Sequence, residues 1–372
     1  MLSIFKNKKF VLLVSFGILI RLIIIFLFLG HSDPDNSAGF IENLNNQQDP
    51  LGMPYSIFSH IFPYYFPDFF KIINIDYHKA LRIMSILSEI LLIFSINRLD
   101  LFNTKYLIYF VALNPFLILY SSFHGQIDLW AISFAILAIS EFNRQKINNS
   151  SFLFAIACLI KPMVVVSIFF LLTKNFKNNL KFLSIFIIVC CLPYVLTFNF
   201  YIIFKNLFLI FNYMILASKN DTHVMWIFAE LTNKYSLILI ICSIIFLKRY
   251  SDKVINHFVL ILPIVILLKG GLTSQYFAWL IPLLIFNLKF GIISSFIFSI
   301  NYIFSYYNSY FMNGEFSNIH AFALNNRIFG DNLVLISLNI NTFNNIYLVL
   351  SNLSMLLVLS NVIYFIYRKK ND

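Results

Sequence analysis

Long runs of apolar residues fill most of the chain and are separated by shorter polar stretches. In residues 11–17 and 346–366 the polar positions are few and do not alternate with the apolar ones. A strand of a membrane barrel would alternate polar and apolar side chains over about ten positions, so these runs do not fit a barrel. In hydrocarbon every backbone N–H and C=O must be paired within its own segment, which leaves helices. The pattern therefore predicts an all-α fold.

The composition indicates where these helices lie. Hydrophobic residues make up 60% of the chain and charged residues 12%, against roughly 45–50% and 25% in ordinary soluble domains. A single soluble core has no room for so much apolar surface, because the buried fraction is limited by the ratio of surface to volume. We therefore expect one integral-membrane domain over residues 1–372, folded as a polytopic transmembrane helical bundle.

The net charge of +11 bears on orientation, because cytoplasmic loops of such proteins are rich in lysine and arginine. Lysines precede the first apolar run, 10–29, and basic residues follow the last, 346–367. The pattern predicts a multi-pass protein with both termini in the cytoplasm and roughly twelve membrane segments. Two long outer loops are expected, at 30–79 and 305–345. No basic stretch alternates with aromatic residues, so we expect no nucleic-acid partner.

The apolar run 152–172 allows two interpretations. As one span it would place Lys174, Lys177 and Lys181 outside, against the charge rule. As two half-helices that meet at Lys161–Pro162 it returns these lysines to the cytoplasm. The residue before a proline disfavours the helical conformation, which favours the break. We therefore expect one helical hairpin here, with a single span as the alternative.

Two carboxylates, Asp33 and Asp35, directly follow the first apolar run. Placed just outside a membrane, they could act as a general base or hold a divalent metal. The competing interpretation is a solvated turn, since Asp, Pro and Asn are common turn residues.

A second group, His124, Gln126 and Asp128, lies between two predicted spans. Three hydrogen-bonding side chains within five residues indicate a substrate-binding position, although Asp128 alone could cap the next helix. Lys161 lies inside an apolar run, where a charged group is expected to be functional. It could bind a phosphate or form a structural ion pair with a buried acid such as Glu89.

A third polar segment begins at Lys269 and includes Gln275 and Tyr276, where a helix directed toward the cytoplasm is predicted to start. The N-terminus of a helix favours an anion, so these three residues are candidates for binding substrate. The rings of Tyr276 and Trp279 could instead belong to the aromatic belt at a membrane surface, and for the rings alone the belt is the favoured interpretation.

These features resemble the integral-membrane glycosyltransferases of the GT-C fold, which use polyprenyl-phosphate-linked sugars. Segment 272–282 (LTSQYFAWLIP) is similar to a segment of the first mannosyltransferase of GPI-anchor assembly. That enzyme also carries a DxD motif in its first lumenal loop, the place that Asp33 and Asp35 occupy here. Three further segments resemble bacterial members of the fold: Asn114–Pro115, residues 124–128 (HGQID) and Lys161–Pro162.

The resemblance implies a membrane hexosyltransferase, for which mannose is one candidate sugar, acting in polysaccharide biosynthesis or a related pathway. The sugar would pass from a polyprenyl-phosphate donor to a glycan, lipid or protein acceptor on the non-cytoplasmic face. Asp35 or Asp33, with Asp35 preferred, would be the catalytic base, and Lys161 and Lys269 would bind the donor phosphate. No cofactor is required, and a divalent metal at the two acids is compatible with the motif.

The same features leave two other classes open, a flippase or transporter of lipid-linked saccharides and a polymerase of such saccharides. Many transporters contain an inverted repeat, and we find none in the sequence. The bacterial plasma membrane is the expected location, in preference to the endoplasmic reticulum.

Overall fold

The computed structural model describes residues 8–27, 70, 74–75, 77–99, 110–197, 235–269, 274–312 and 340–371. Every regular element in these ranges is a helix, which confirms the all-α prediction for the described part. The α-helices are α1 (Lys8–Leu27), α2 (Tyr77–Asn97), α3 (Pro115–Leu119), α4 (Asp128–Asn143), α5 (Ile147–Ile160), α6 (Ile168–Leu171), α7 (Phe176–Thr197), α8 (Ser236–Tyr250), α9 (Val254–Lys269), α10 (Ile281–Phe286), α11 (Leu288–Met312) and α12 (Ile340–Asn371). A π-helical turn (Tyr120–His124) and two 3₁₀ stretches (Pro162–Ser167 and Ser274–Leu280) connect some of them.

Three helical stretches are long and apolar enough to cross a membrane: Lys79–Asn97, Phe176–Pro193 and Asn345–Arg368. A fourth is counted if Pro115–Phe123 and Asp128–Asn143 form one span with a bend of 119°. Only 6% of the Phe176–Pro193 window is buried, so α7 presents a long apolar surface of the kind that soluble monomers rarely expose. The remaining apolar helices are shorter, and the roughly twelve segments stay a prediction.

The reversal between α3 and α4 follows from local sequence. Asn114 caps α3, because its Oδ1 accepts the N–H groups of the second and third helical residues at 3.0 and 3.2 Å, and Pro115 occupies the first helical position. The π-helical turn ends at Gly125, whose φ of 70° is easily adopted only by glycine. A Cβ at Gly125 would lie 3.2 Å from the backbone nitrogen of Arg82. The turn therefore packs directly on α2 and brings the start of α4 back toward Tyr120.

The chain also reverses between α5 and α7. Helix α5 ends at Lys161, whose backbone is extended (φ −141°, ψ 109°) just before Pro162. The Ser151 hydroxyl donates a hydrogen bond to the Phe182 carbonyl, and the ring of Phe154 lies 5.9 Å from that of Phe186. Residues 151 and 154 thus pair with 182 and 186 in the same order, so α5 and α7 run parallel. A return segment must join two parallel neighbours, and the 3₁₀ stretch with α6 provides it, as the hairpin interpretation predicts.

Basic side chains surround one acid where α2 ends and α4 ends. The buried Glu141 carboxylate accepts a hydrogen bond from Arg98 and from Asn149 at 3.4 Å. Arg144 and Lys146 lie 3.8 and 4.0 Å from its oxygens. We call this end of the bundle, defined by residues 141–149, 172–181, 248–257 and 366–368, the basic end.

Further contacts attach α8, α9, α10 and α12 to the basic end. The rings of Phe170 and His257 are in contact, with 4.6 Å between their centroids. The Tyr250 hydroxyl donates a hydrogen bond to the Ile366 carbonyl (2.8 Å), and the Arg368 guanidinium donates one to the Phe286 carbonyl (3.2 Å). The cations Lys248, Arg249 and Arg368 therefore lie at the same end as Arg144 and Lys146. This is the segregation of charge that the sequence predicts for a cytoplasmic face.

A buried ion pair fixes α1 to the bundle. The Arg21 guanidinium binds both Glu89 oxygens, at 3.2 and 2.7 Å, and donates to the Ala112 carbonyl at 2.7 Å. Gly17 permits this approach, because a Cβ there would lie 2.6 Å from the same carbonyl oxygen. The Arg21 side chain therefore holds α1, the helix before the first predicted outer loop, against α2 and the Ala112 carbonyl.

Candidate functional site

Asp128 is the centre of a buried polar cluster at the end of the bundle opposite to Glu141. Its carboxylate is fully buried, and the Lys161 Nζ lies 3.3 Å from Oδ1. The Trp279 Nε1 donates to Oδ1 at 3.1 Å, and the Tyr120 hydroxyl donates to Oδ2 at 2.8 Å. The Tyr120 oxygen in turn accepts the backbone N–H of Asp128 at 3.1 Å. Both carboxylate oxygens therefore have partners.

Lys161 enters the cluster from the break between α5 and the 3₁₀ stretch. Only 5% of this residue is exposed, and its Nζ lies 6.0 Å from the centroid of the Tyr276 ring. That distance is the outer limit for a cation–π contact, which is about 6 Å. We call Tyr120, Asp128, Lys161, Tyr276 and Trp279 the Asp128–Lys161 cluster.

The 3₁₀ stretch Ser274–Leu280 explains how two aromatic residues reach one acid–base pair. With three residues per turn, side chains at positions i and i+3 lie on the same side of a 3₁₀ helix. Tyr276 and Trp279 have this spacing, and one contacts Lys161 while the other binds Asp128. Phe277 points elsewhere and stacks on Phe298 at 4.3 Å, which fixes the stretch against α11.

The cluster is energetically demanding. Removing two opposite charges from water costs several kcal/mol per ion, and only close pairing with additional hydrogen bonds recovers it. Here the Asp128 carboxylate has Lys161 and two hydrogen-bond donors, so the pair is well compensated. A chain that needed only packing would place apolar residues at these positions, so the cluster is a functional-site candidate.

The structure brings together Asp128, Lys161 and Tyr276 from the predicted site residues. Gln126 is buried nearby, and its backbone carbonyl accepts a hydrogen bond from the Ser85 hydroxyl at 2.8 Å. The side chains of His124, Lys269 and Gln275 lie outside the described part, and so do Asp33 and Asp35. The same holds for most of the two predicted outer loops, 30–79 and 305–345. In these loops the structure describes only residues 70, 74–75, 77–79, 305–312 and 340–345. Their proposed roles stay predictions.

Two alternatives considered from the sequence are wrong, and a third, an ion pair between Lys161 and a buried acid, is confirmed with an acid other than the one named. Asp128 does not cap α4, because Ile127 precedes the first helical residue and no side chain there caps the helix. Tyr276 and Trp279 do not form a surface belt, since 4% and 1% of them are exposed. The buried acid that pairs with Lys161 is Asp128, whereas Glu89 binds Arg21.

Tyr120 was not predicted from the sequence. It lies inside an apolar run eight positions before Asp128, and nothing in its spacing separates it from the other tyrosines. Only the π-helical turn and the reversal at Gly125 bring its hydroxyl back to the acid.

Metal binding has no support among the described residues, where no group of three or more His, Cys, Asp or Glu side chains could hold an ion. The two acids predicted as metal ligands, Asp33 and Asp35, lie outside those residues.

The chain matches no protein-family model, no curated protein and no solved structure at a significant level.

Proposed function

We propose that this chain is a membrane glycosyltransferase that transfers a hexose, with mannose as one candidate, from a polyprenyl-phosphate donor. The observation that carries the proposal is the Asp128–Lys161 cluster. The resemblance to GT-C enzymes lies in three separate segments, 114–128, 161–162 and 272–282. Each of them contributes at least one side chain to the Asp128–Lys161 cluster.

In this proposal Lys161 binds the donor phosphate, and the Asp128 carboxylate supplies a counter-charge for the lysine within the apolar bundle. Hydrogen bonds from an ammonium group to phosphate oxygens are charge-assisted and among the stronger ones in proteins, so the phosphate of the donor would bind beside the ion pair.

The orientation of the cluster fits a donor on the non-cytoplasmic face. The Asp128–Lys161 cluster and the basic end lie at opposite ends of α4 and of α5. If the basic end faces the cytoplasm, as the charge rule indicates, the cluster lies toward the outer face. The expected setting is the plasma membrane of a bacterium, with the acceptor being a glycan, lipid or protein.

Asp33 or Asp35, with Asp35 preferred, supplies the base in this proposal, because the sequence predicts both acids just outside the membrane after the first apolar run. Removal of the proton from the acceptor hydroxyl lets its oxygen attack the anomeric carbon, while the polyprenyl phosphate leaves. The Arg21–Glu89 pair supports this step indirectly by fixing α1 against α2.

The decisive experiment is transfer in detergent. Purified protein is incubated with a polyprenyl-phosphate hexose that is radiolabelled in the sugar, together with a panel of glycan and lipid acceptors. Formation of a labelled product without any membrane or gradient supports the transferase. If the label remains on the donor but the protein moves labelled donor across reconstituted vesicles, the chain is a flippase and the proposal fails.

A further inference from the structure

A polar cleft of about 700 Å³ opens at the basic end, between the loop that joins α4 to α5 and the loop that joins α6 to α7. Its volume lies within the range of about 300–1,000 Å³ that is usual for small-molecule sites. It is separate from the Asp128–Lys161 cluster, which lies at the other end of α4. The proposed transferase reaction does not use this cleft.

The charge around the cleft is strongly positive. Lys146 and Lys181 line it directly, and Arg144, Lys174 and Lys177 lie in the same two loops and the first turn of α7. Glu141 is the one acid in residues 140–150 and 172–182, and it is already bound by Arg98. A ligand in the cleft therefore meets an excess of cations.

Several polar groups in the lining have no partner in the described part of the chain. The Lys181 ammonium and the side-chain amides of Asn148 and Asn178 form no hydrogen bond or ion pair there, although all three line the cleft. The lining amides Asn149 and Asn175 are occupied, one by Glu141 and the other by the start of α7. The unpartnered lysine and amides leave N–H donors available to a phosphate.

An exposed apolar side chain lies beside the cleft. Phe152, one helical turn after the lining residue Asn148 on α5, is 49% exposed. An anionic headgroup above exposed apolar residues is the arrangement by which basic pockets on the cytoplasmic side of membrane proteins hold anionic lipids.

We propose that this cleft binds an anionic phosphate ester, with Lys181 as the principal cation and Asn148 and Asn178 as neutral donors. The shared chemistry is a phosphate with free anionic oxygens. It can come from the headgroup of an anionic phospholipid or from a soluble phosphate ester.

Binding is measured on the purified full chain in a neutral detergent, with short-chain phosphatidylglycerol as the anionic probe. Short-chain phosphatidylcholine, whose phosphate is neutralised by choline, is the comparison, and glycerol phosphate is the soluble competitor. Lys181→Gln removes one of the two lysines that line the cleft, and Lys177→Gln removes another exposed cation of the same helix that does not line it. Lys181→Gln is expected to weaken phosphatidylglycerol binding about tenfold, the size of one hydrogen bond to a charged group. Lys177→Gln is expected to change it by less than about twofold, as for a screened surface charge.

Asn148→Asp is the second test variant, because it places a carboxylate in the cleft at an exposed position that has no partner to lose. It is expected to weaken binding as much as Lys181→Gln does, at an unchanged unfolding temperature. If glycerol phosphate does not compete, the source is a lipid headgroup; if it competes, the source is a soluble ester, and the site stands in either case. Equal loss in Lys181→Gln and Lys177→Gln would show a diffuse surface charge and overturn the site. So would equal binding of both lipids, or no binding of any phosphate probe.

Discussion

The Lys161 ammonium lies 3.3 Å from the Asp128 carboxylate in a part of the bundle where both side chains are almost fully buried. Tyr120 and Trp279 bind the same carboxylate, so a single acid joins the π-helical turn, α4, the end of α5 and the 3₁₀ stretch before α10. Because the pair is compensated only when both charges are present, its two residues should behave as one unit under mutation.

A double-mutant cycle tests this coupling. Asp128→Asn keeps an acceptor for Trp279 but removes the carboxylate that pairs with Lys161, and Lys161→Met removes the cation that pairs with the carboxylate. Each single variant should lower the free energy of unfolding by about 3–5 kcal/mol, the usual cost of an unpaired buried charge. The double variant should be less destabilised than the sum of the two, as measured by thermal unfolding in detergent. Strict additivity would mean that the two charges do not interact.

Two substitutions in turns should have opposite effects on the stability of the fold. Gly125→Ala forces an alanine into the left-handed region, at a cost of about 1–2 kcal/mol, and brings its Cβ to 3.0 Å from the Arg82 side chain. Gln145 already has a positive φ of 59° at the end of α4. Its N–H binds the Phe142 carbonyl at 2.9 Å, as in a Schellman motif, where glycine is preferred.

Gln145→Gly should therefore raise the unfolding temperature, while Gly125→Ala lowers it. Loss of stability in Gln145→Gly would show that its side chain contributes more than its backbone strain costs.

The proposed orientation is tested by labelling single cysteines in intact cells, after replacement of the four native cysteines. Asn148→Cys lies at the basic end and should be protected from an impermeant thiol reagent. Asn36→Cys, in the first predicted outer loop, should react. The reverse pattern would place the basic end outside and contradict the charge rule on which the orientation depends.

Much of the helical arrangement is predictable because its causes are local. The positions of the lysines and arginines in the sequence indicate which helix ends lie together at one end of the bundle. Pro162 marks the break at Lys161. The partner of Lys161 could not be predicted, because Glu89 and Asp128 are both acids near apolar runs and only tertiary packing assigns one to Arg21. The π-helical turn that returns Tyr120 to Asp128 likewise has no sequence signal, since its register depends on how Gly125 packs against Arg82.

The catalytic acids are tested by exchange to asparagine, which keeps the size of the side chain but removes its charge. Either Asp33→Asn or Asp35→Asn, with Asp35 preferred, should reduce sugar transfer by at least ~100-fold, within the range for a general base, at unchanged donor affinity. The other variant should lose less, unless both acids hold a metal, in which case a chelator should also abolish transfer. Parental rates in both single variants and in the double variant would move the base elsewhere.

The most direct test of the central claim is the donor affinity of the double variant Asp128→Asn, Lys161→Met, in which the ion pair is removed without leaving an isolated charge. Binding of a polyprenyl-phosphate hexose and of the matching polyprenol, which lacks the phosphate, is measured by titration of parental and variant protein in detergent. If the cluster binds the donor phosphate, the variant should lose at least about tenfold in affinity for the donor, the size of one hydrogen bond to a charged group. Its affinity for the polyprenol should not change. Equal donor affinity in a folded double variant would contradict the account and leave the cluster a purely structural ion pair.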